Sequence, residues 1–361
     1  MIVALYFGGN RNLLCRKLVS LKIRNAVSND ESRATHHIYR SIFMHVMILL
    51  PLRHNMQGLV IKSTGSWYQV YAEDGKNYDC RIKGKFRIQG IQTTNPIAVG
   101  DKVGFELEPN AETGVIDTLQ ERKNYIIRKS INLSKQAQII AANLDQAFLI
   151  VTLASPRTSL GFIDRFLVTS EAYSIPTCLI FNKLDLFSKQ GLEILAEYKA
   201  IYEKIGYPCY EVSALKGTNV DQIKDLLKDK TTLFSGHSGV GKSSLINALL
   251  PGFDIKTGEI SDWSDKGQHT TTFAEMHTLP FGGYLIDTPG IRELGIFDIK
   301  PEELSHYFVE MRDRLNQCRF NNCRHVNEPG CAVIKAVEKG EIEISRYESY
   351  LSIFHGNDTR A

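Results

Sequence analysis

Eight residues, Gly236-His-Ser-Gly-Val-Gly-Lys-Ser243, carry the spacing G-x-x-x-x-G-K-[ST]. An apolar run ending at Ser235 precedes them, and the helix-forming run Ser243–Leu250 follows. That strand–loop–helix context is what a phosphate-binding loop requires. Gly236, His237, Ser238, Gly239, Val240 and Gly241 form the loop, whose glycines let backbone N–H groups close around a β-phosphate. The helix N-terminus adds the positive end of its dipole. Lys242 reaches the β- and γ-phosphates, and the Ser243 hydroxyl suits Mg²⁺. Ser244 is placed to cap near the α-phosphate.

Asn182-Lys-Leu-Asp185 ends a second apolar run. An Asp there accepts two hydrogen bonds, from the N1–H and 2-amino group of guanine. Adenine lacks that donor pair, so Asp185 selects GTP. Asn182 braces the loop, and the Lys183 stem stacks on the base. Ser213 and Ala214, after a third apolar run, back the guanine O6. Asp287-Thr-Pro-Gly290 supplies a carboxylate behind the Mg²⁺ (Asp287) and an N–H for the γ-phosphate (Gly290). A hydrolytic water also needs a positioner. Many GTPases carry a Gln after the last glycine of this element. Here that position is Ile291, which cannot orient water, so slow intrinsic hydrolysis is expected. His269, in Gly267-Gln-His-Thr-Thr-Thr272, is the candidate, and Thr271 or Thr272 can bind Mg²⁺ and the γ-phosphate. An exposed loop histidine is the plainer reading of His269. His237 is its rival and is expected to point away from the γ-phosphate.

The order of these elements is unusual. The base reader precedes the phosphate loop, so the nucleotide domain reads as circularly permuted. A separate cluster, Cys318-x₄-Cys323-x-His325-x₅-Cys331, offers three thiolates and one imidazole within fourteen residues. Four such ligands fill a tetrahedral Zn²⁺ shell and leave no open position, so the role is structural. A small region with few large apolar residues gains from such a staple. His306 lies too far upstream to be a good alternative ligand. Arg312, Arg314, Arg319 and Arg324 flank the cluster and suit phosphate contact, or pairing with Glu302, Glu310 and Asp313.

The elements that must position these groups are legible in outline. The 361 residues allow two or three domains. With 43% apolar and 23% charged residues the balance is that of a globular chain. The net charge of +3 argues for no broad nucleic-acid surface, so RNA contact would need local patches. Seven cysteines, an odd number, argue against a disulfide scaffold and for a reducing cytoplasm. Cys15, Cys80, Cys178 and Cys209 read as ordinary thiols. No apolar run is long enough to span a membrane, Ser41–Leu52 being the nearest candidate. Residues 1–55 hold eight of the 43 Lys/Arg and no clear periodicity. They are expected to be a disordered or non-native extension, with Met56 as the natural start.

Residues 56–120 read as five short strands between turns, which suits an OB-fold barrel. Its run Arg81–Arg87, four basic residues and one aromatic in seven, suits single-stranded RNA or is simply solvated. Residues 121–297 alternate buried apolar strands with helices at Gly161–Ser174, Gln190–Gly206 and Val220–Lys228, a doubly wound α/β domain. Residues 298–361 read as helical around the Cys/His cluster. The fold class is therefore α/β: a circularly permuted P-loop GTPase domain, an N-terminal OB-fold β-barrel and a C-terminal helical zinc-binding domain.

This arrangement over residues 56–361 resembles the bacterial RsgA (YjeQ) family. The resemblance implies a GTPase acting in late maturation of the small ribosomal subunit. It implies binding near the decoding centre, rRNA contacts through barrel and zinc domain, stimulation by the subunit, and release after hydrolysis. It also places the family's water-positioning histidine at His269. A monomer is expected. A nucleotide-gated RNA-binding scaffold is the rival reading. A metabolic phosphotransferase is disfavoured, because Asn182–Asp185 reads guanine and no acceptor pocket is evident. Since Gly290 runs through Ile291–Phe297 into the cysteine region, γ-phosphate loss is expected to reach the C-terminal domain along that connection.

Overall fold

The computed structural model describes residues 56–83, 96–109, 111–129, 137–252, 274–287 and 299–356. The expectations for residues 1–55, for His269, Thr271, Thr272, Gly290 and Ile291, and for the connection up to 298 lie outside the described residues, as do 84–87 of the basic run.

Five strands, β1 (Met56–Ser63), β2 (Tyr68–Ala72), β3 (Asn77–Ile82), β4 (Lys102–Leu107) and β5 (Thr113–Leu119), form the barrel. β1 pairs with both β2 and β4, and β3 pairs with β5 in parallel, so the ring closes in the order 1-2-3-5-4. Closure removes the free edges that a small sheet would otherwise present. The period of two puts Tyr68, Val70 and Ala72 inside with Val60, Cys80, Val103, Phe105 and Ile116. Gly58 is required where β1 crosses β2, because a Cβ there would lie 2.4 Å from Val70 Cγ1.

The α/β part holds β8 (Gln146–Val151), β9 (Thr177–Phe181), β10 (Cys209–Glu211), β11 (Thr231–Ser235), β12 (Glu275–Thr278) and β13 (Tyr284–Asp287). Five of these run parallel in the order β10-β9-β8-β11-β13, and β12 is antiparallel to β13. β8 is buried throughout, as a strand covered on both faces must be. Its Ala147, Leu149 and Val151 pack under α1 (Leu160–Ala172) and α2 (Lys189–Lys204). Its Phe148 and Ile150 pack under α3 (Val220–Leu227) and α4 (Lys242–Leu249).

Two features depart from the sequence reading. The stretch after Tyr125 does not begin the α/β alternation. Instead β6 (Tyr125–Lys129) and β7 (Ala137–Ala142) form an antiparallel pair of their own. A buried salt bridge holds the joint with the barrel: Arg122 meets Asp101 through two bonds of 2.6 and 2.7 Å and also donates to Pro96 O. Second, the barrel and the α/β sheet are one sheet. β12 pairs with β1 at Glu275↔Lys62, and those side chains form an ion pair of 3.3 Å.

The C-terminal part is a 3-10 helix (Pro301–Tyr307), α5 (Val309–Arg312), a second 3-10 turn (Leu315–Gln317), α6 (Ala332–Glu338) and α7 (Ile344–Phe354). Its core of Leu304, Phe308, Met311, Val333, Ala336 and Tyr350 also takes in Val168 of α1. Among the described residues no helix is long and apolar enough to cross a membrane.

Candidate functional site

β11 delivers the chain into the loop Gly236–Gly241, and α4 opens at Lys242. The loop can turn this tightly because Gly241 sits at φ +90°, where a Cβ would lie 2.5 Å from Asn182 Nδ2. That near-contact marks the central joint of the site. Asn182 Nδ2 donates to Val240 O at 2.9 Å, and its Oδ1 accepts from Ala214 N at 3.1 Å. One buried side chain therefore ties the Gly236–Gly241 loop to the segments at Asn182 and at Ala214. Parallel pairing of β9 with β8 and β10, and of β8 with β11, brings these strand ends to one edge, where ligands of open α/β sheets bind.

Asp185 follows in a 3-10 turn, Leu184–Leu186, and is exposed. The Ser213 hydroxyl donates to its Oδ1 and accepts from Lys216 N at 3.1 Å. The Asp185 carboxylate is thus oriented by Ser213. Lys183 adopts a left-handed backbone, φ 66°, and its ammonium donates to Ser155 O.

Lys242 folds over the loop, donating to Gly236 O at 2.8 Å and His237 O at 3.1 Å. Burial lowers its pKa, against the pull of Asp287. Desolvation of this kind strengthens its attraction for a phosphate that replaces the carbonyls. Asp287 ends β13 opposite Phe234 of β11 and is 7% exposed, next to the loop's entry. Ser235 is buried at the end of β11, while Ser243 and Ser244 lie in the first turn of α4. The His237 ring lies against Phe162 of α1, with centroids 3.7 Å apart. Sequence reasoning did not single out Phe162, because an aromatic on an apolar helix reads as core.

Cys318, Cys323, His325 and Cys331 converge, with one donor atom from each within 4.8 Å of every other. His325 Nδ1 lies 3.3 Å from Cys331 Sγ and 3.6 Å from Cys318 Sγ, and those sulfurs are 4.0 Å apart. A tetrahedral shell with Zn–S of about 2.3 Å separates its sulfurs by roughly 3.8 Å, so the donor set fits such an ion. Backbone N–H groups of Ala332 and Ile334 point at Cys318 and Cys331 sulfur, which favours thiolate. Without a cation, burial pushes the Cys323 thiol up to about 12. Tyr347 donates to His325 O at 2.8 Å and fixes the ligand loop on α7. Of the flanking arginines, Arg312 meets Glu171 of α1, Arg314 meets Glu341, and Arg319 stacks on the exposed Phe320.

A third cluster was missed. Arg346 of α7 is 1% exposed and meets Asp164 of α1 at 2.7 Å and Glu310 of α5 at 2.7 and 3.2 Å. Tyr202 of α2 donates to the same Asp164 oxygen at 2.9 Å. Two carboxylates share one guanidinium, and burial raises the Asp164 pKa against the pull of Arg346. The available signal was a lone Asp on the apolar face of a helical run.

Known proteins place this architecture. A family model described as RsgA GTPase matches residues 119–297, and one described as RsgA N-terminal domain matches residues 57–116. A small ribosomal subunit biogenesis GTPase RsgA of Christiangramia forsetii is 57% identical over 305 residues, covering 84% of this chain and 97% of the relative. A protein of the same description from Bacteroides fragilis is 54% identical over 303 residues, with the same coverage of both chains, 84% and 97%. The crystal structure of YjeQ from Thermotoga maritima superposes with a TM-score of 0.68 at 38% identity, covering 84% of this chain and 98% of that one. That of YloQ, a circularly permuted GTPase, gives 0.63 at 31% identity over 86% and 98%.

Proposed function

Because this chain belongs to the RsgA family of GTPases, we propose that it hydrolyses GTP while assisting late maturation of the small ribosomal subunit. In this reading it works in the cytoplasm as a monomer. It binds rRNA near the decoding centre, is slow alone and stimulated by the subunit, and leaves after hydrolysis. The observation that carries the nucleotide part is the Asn182 joint, which sets base reader and phosphate loop at one fixed spacing.

The residues divide the work. Asp185, held by Ser213, reads the guanine edge, and the Lys183 stem covers the base. The loop's N–H groups and Lys242 hold the phosphates in line for attack. Mg²⁺ bound with GTP would neutralise charge developing on the phosphate oxygens, with Ser243 and Thr271 or Thr272 as its ligands and Asp287 behind it. Gly290 offers its N–H to the γ-phosphate. His269 orients the water, the role that Ile291 cannot fill. His269→Ala is expected to lower subunit-stimulated turnover by about 10²–10⁴-fold with little change in GTP affinity. An equal loss from His237→Ala, with His269→Ala silent, would transfer the role to His237. Zn²⁺ held by Cys318, Cys323, His325 and Cys331 would staple the C-terminal region.

Co-sedimentation with small subunits tests the cycle. Binding should be firm with a non-hydrolysable GTP analogue and weak with GDP. Binding indifferent to nucleotide, with turnover unaffected by subunits, would instead describe an RNA-binding scaffold.

A further inference from the structure

The phosphate loop is braced from two sides. Asn182 holds it from the base side. On the other side stands α1, whose role in nucleotide binding the motifs do not predict. Its N-cap, Ser159, accepts from Phe162 N at 3.3 Å, so the Phe162 backbone is fixed at the first turn. The Phe162 ring then backs the His237 ring at 3.7 Å. The preceding loop is closed by a bond from Thr152 N to Thr158 Oγ1, and its Pro156 reaches the phosphate loop as well, 3.3 Å from where a Cβ on Gly239 would sit.

The same helix is the anchorage of the C-terminal helices. Asp164, two residues from Phe162, receives Arg346 at 2.7 Å with both groups essentially fully buried. Val168, one turn further, lies in the C-terminal core, and Glu171 takes Arg312 at 3.0 Å. A buried charge that loses its partner is strongly disfavoured, so α1 cannot shift relative to α7 without carrying Arg346 along.

We propose that Phe162 is a positioning residue for the phosphate loop, and that α1 links the loop's affinity for guanine nucleotides to the docking of the C-terminal helices. This rests on the phosphate-loop reading above. The stack holds the His237 segment in the conformation from which its neighbours' N–H groups face a phosphate. An aromatic pair also resists displacement beyond the area it buries. Coupling must be reciprocal, so bound nucleotide should in turn steady α7.

The test uses the full chain. Phe162→Leu keeps an apolar side chain but removes the stack, and should weaken GDP binding about tenfold. His237→Ala, a loop substitution, should give the same loss, His237→Phe should restore it, and the double variant F162L/H237A should be no worse than either single. Hydrogen exchange supplies the second arm: GDP should slow amide exchange in α7 of the parent protein and not in Phe162→Leu. Parental GDP affinity in either single variant, multiplying losses in the double variant, no rescue by His237→Phe, or α7 exchange indifferent to GDP would each overturn the proposal. Lys242→Ala separates the two levels. If it keeps its nucleotide, the phosphate-loop reading fails. If it loses nucleotide while Phe162→Leu binds normally, only the present inference fails.

Discussion

Asp185→Asn should turn the site from GTP toward xanthosine triphosphate. Guanine presents two donors, N1–H and the 2-amino group, and a carboxylate accepts both. Xanthine keeps N1–H but carries a carbonyl oxygen at position 2. A carboxamide matches that edge, with its oxygen accepting N1–H and its amide donating to the carbonyl. The backbone need not move, because Ser213 already donates to Asp185 Oδ1 and would donate to the amide oxygen in the same way. Hydrogen bonds to a charged acceptor contribute about 1.5–3 kcal/mol each. Losing one and leaving a misplaced donor facing another should weaken GTP by roughly 10²-fold or more. Competition binding with GTP and xanthosine triphosphate measures both sides of the exchange. Unchanged GTP affinity would show that Asp185 does not read the base.

The second large effect is expected at the Cys/His cluster. Removing the metal with a chelator, or making Cys331→Ser, should unfold the C-terminal helices while leaving the barrel intact. The region has a small core, and structural zinc contributes roughly 10–16 kcal/mol of apparent binding energy in isolated fingers at neutral pH. The Cys331 sulfur also caps α6 by accepting from Ile334 N, and a serine hydroxyl can keep that cap, so Cys331→Ser isolates the loss of the metal ligand. Loss of α6 and α7 would release Arg346, leaving Asp164 without its counter-charge in α1. A calorimetric scan with and without chelator, with the released metal identified by mass, checks this. A protein that keeps one unchanged transition after complete metal loss would contradict it.

Much of the fold class was legible because phosphate binding is a local problem. Six loop residues and the helix after them must lie at fixed spacing, so Gly236–Ser243 stands out in the chain. The parallel strands were legible for a different reason: a strand buried on both faces, such as β8, has no polar alternation. The Cys/His spacing was legible because four ligands of one ion must come close together. What stayed hidden depends on partners far apart in sequence. Arg346 and Asp164 are separated by 182 positions, and neither has a local pattern that names the other. The β6–β7 pair was hidden because β7 is as apolar as a strand of the parallel sheet. The sequence also suggested that γ-phosphate loss reaches the C-terminal domain along the connection after Gly290, which lies outside the described residues. Among the described residues that domain is anchored at Asp164, Val168 and Glu171 on α1, and at Lys204 at the end of α2, which meets Glu343 at 3.0 Å. The motif-bearing loops hid Phe162 because a stack between a core aromatic and a loop histidine has no spacing rule.

The pairing of β1 with β12 has a consequence for solubility. Without the barrel, β12 would end the parallel sheet as an open edge, with unpaired N–H and C=O groups ready to recruit another chain. The opposite end of that sheet is β10, only three residues long, which is a poor template for recruitment. β1 of the barrel meets the longer edge at Lys62↔Glu275 and, being part of a closed ring, adds no new edge. A chain beginning near residue 120 should therefore bind guanine nucleotides yet self-associate, with larger species growing with concentration in sedimentation velocity runs. The intact chain should remain a single species under the same conditions. The barrel would then have a second task that needs no RNA: keeping a hydrolase with an exposed strand from polymerising.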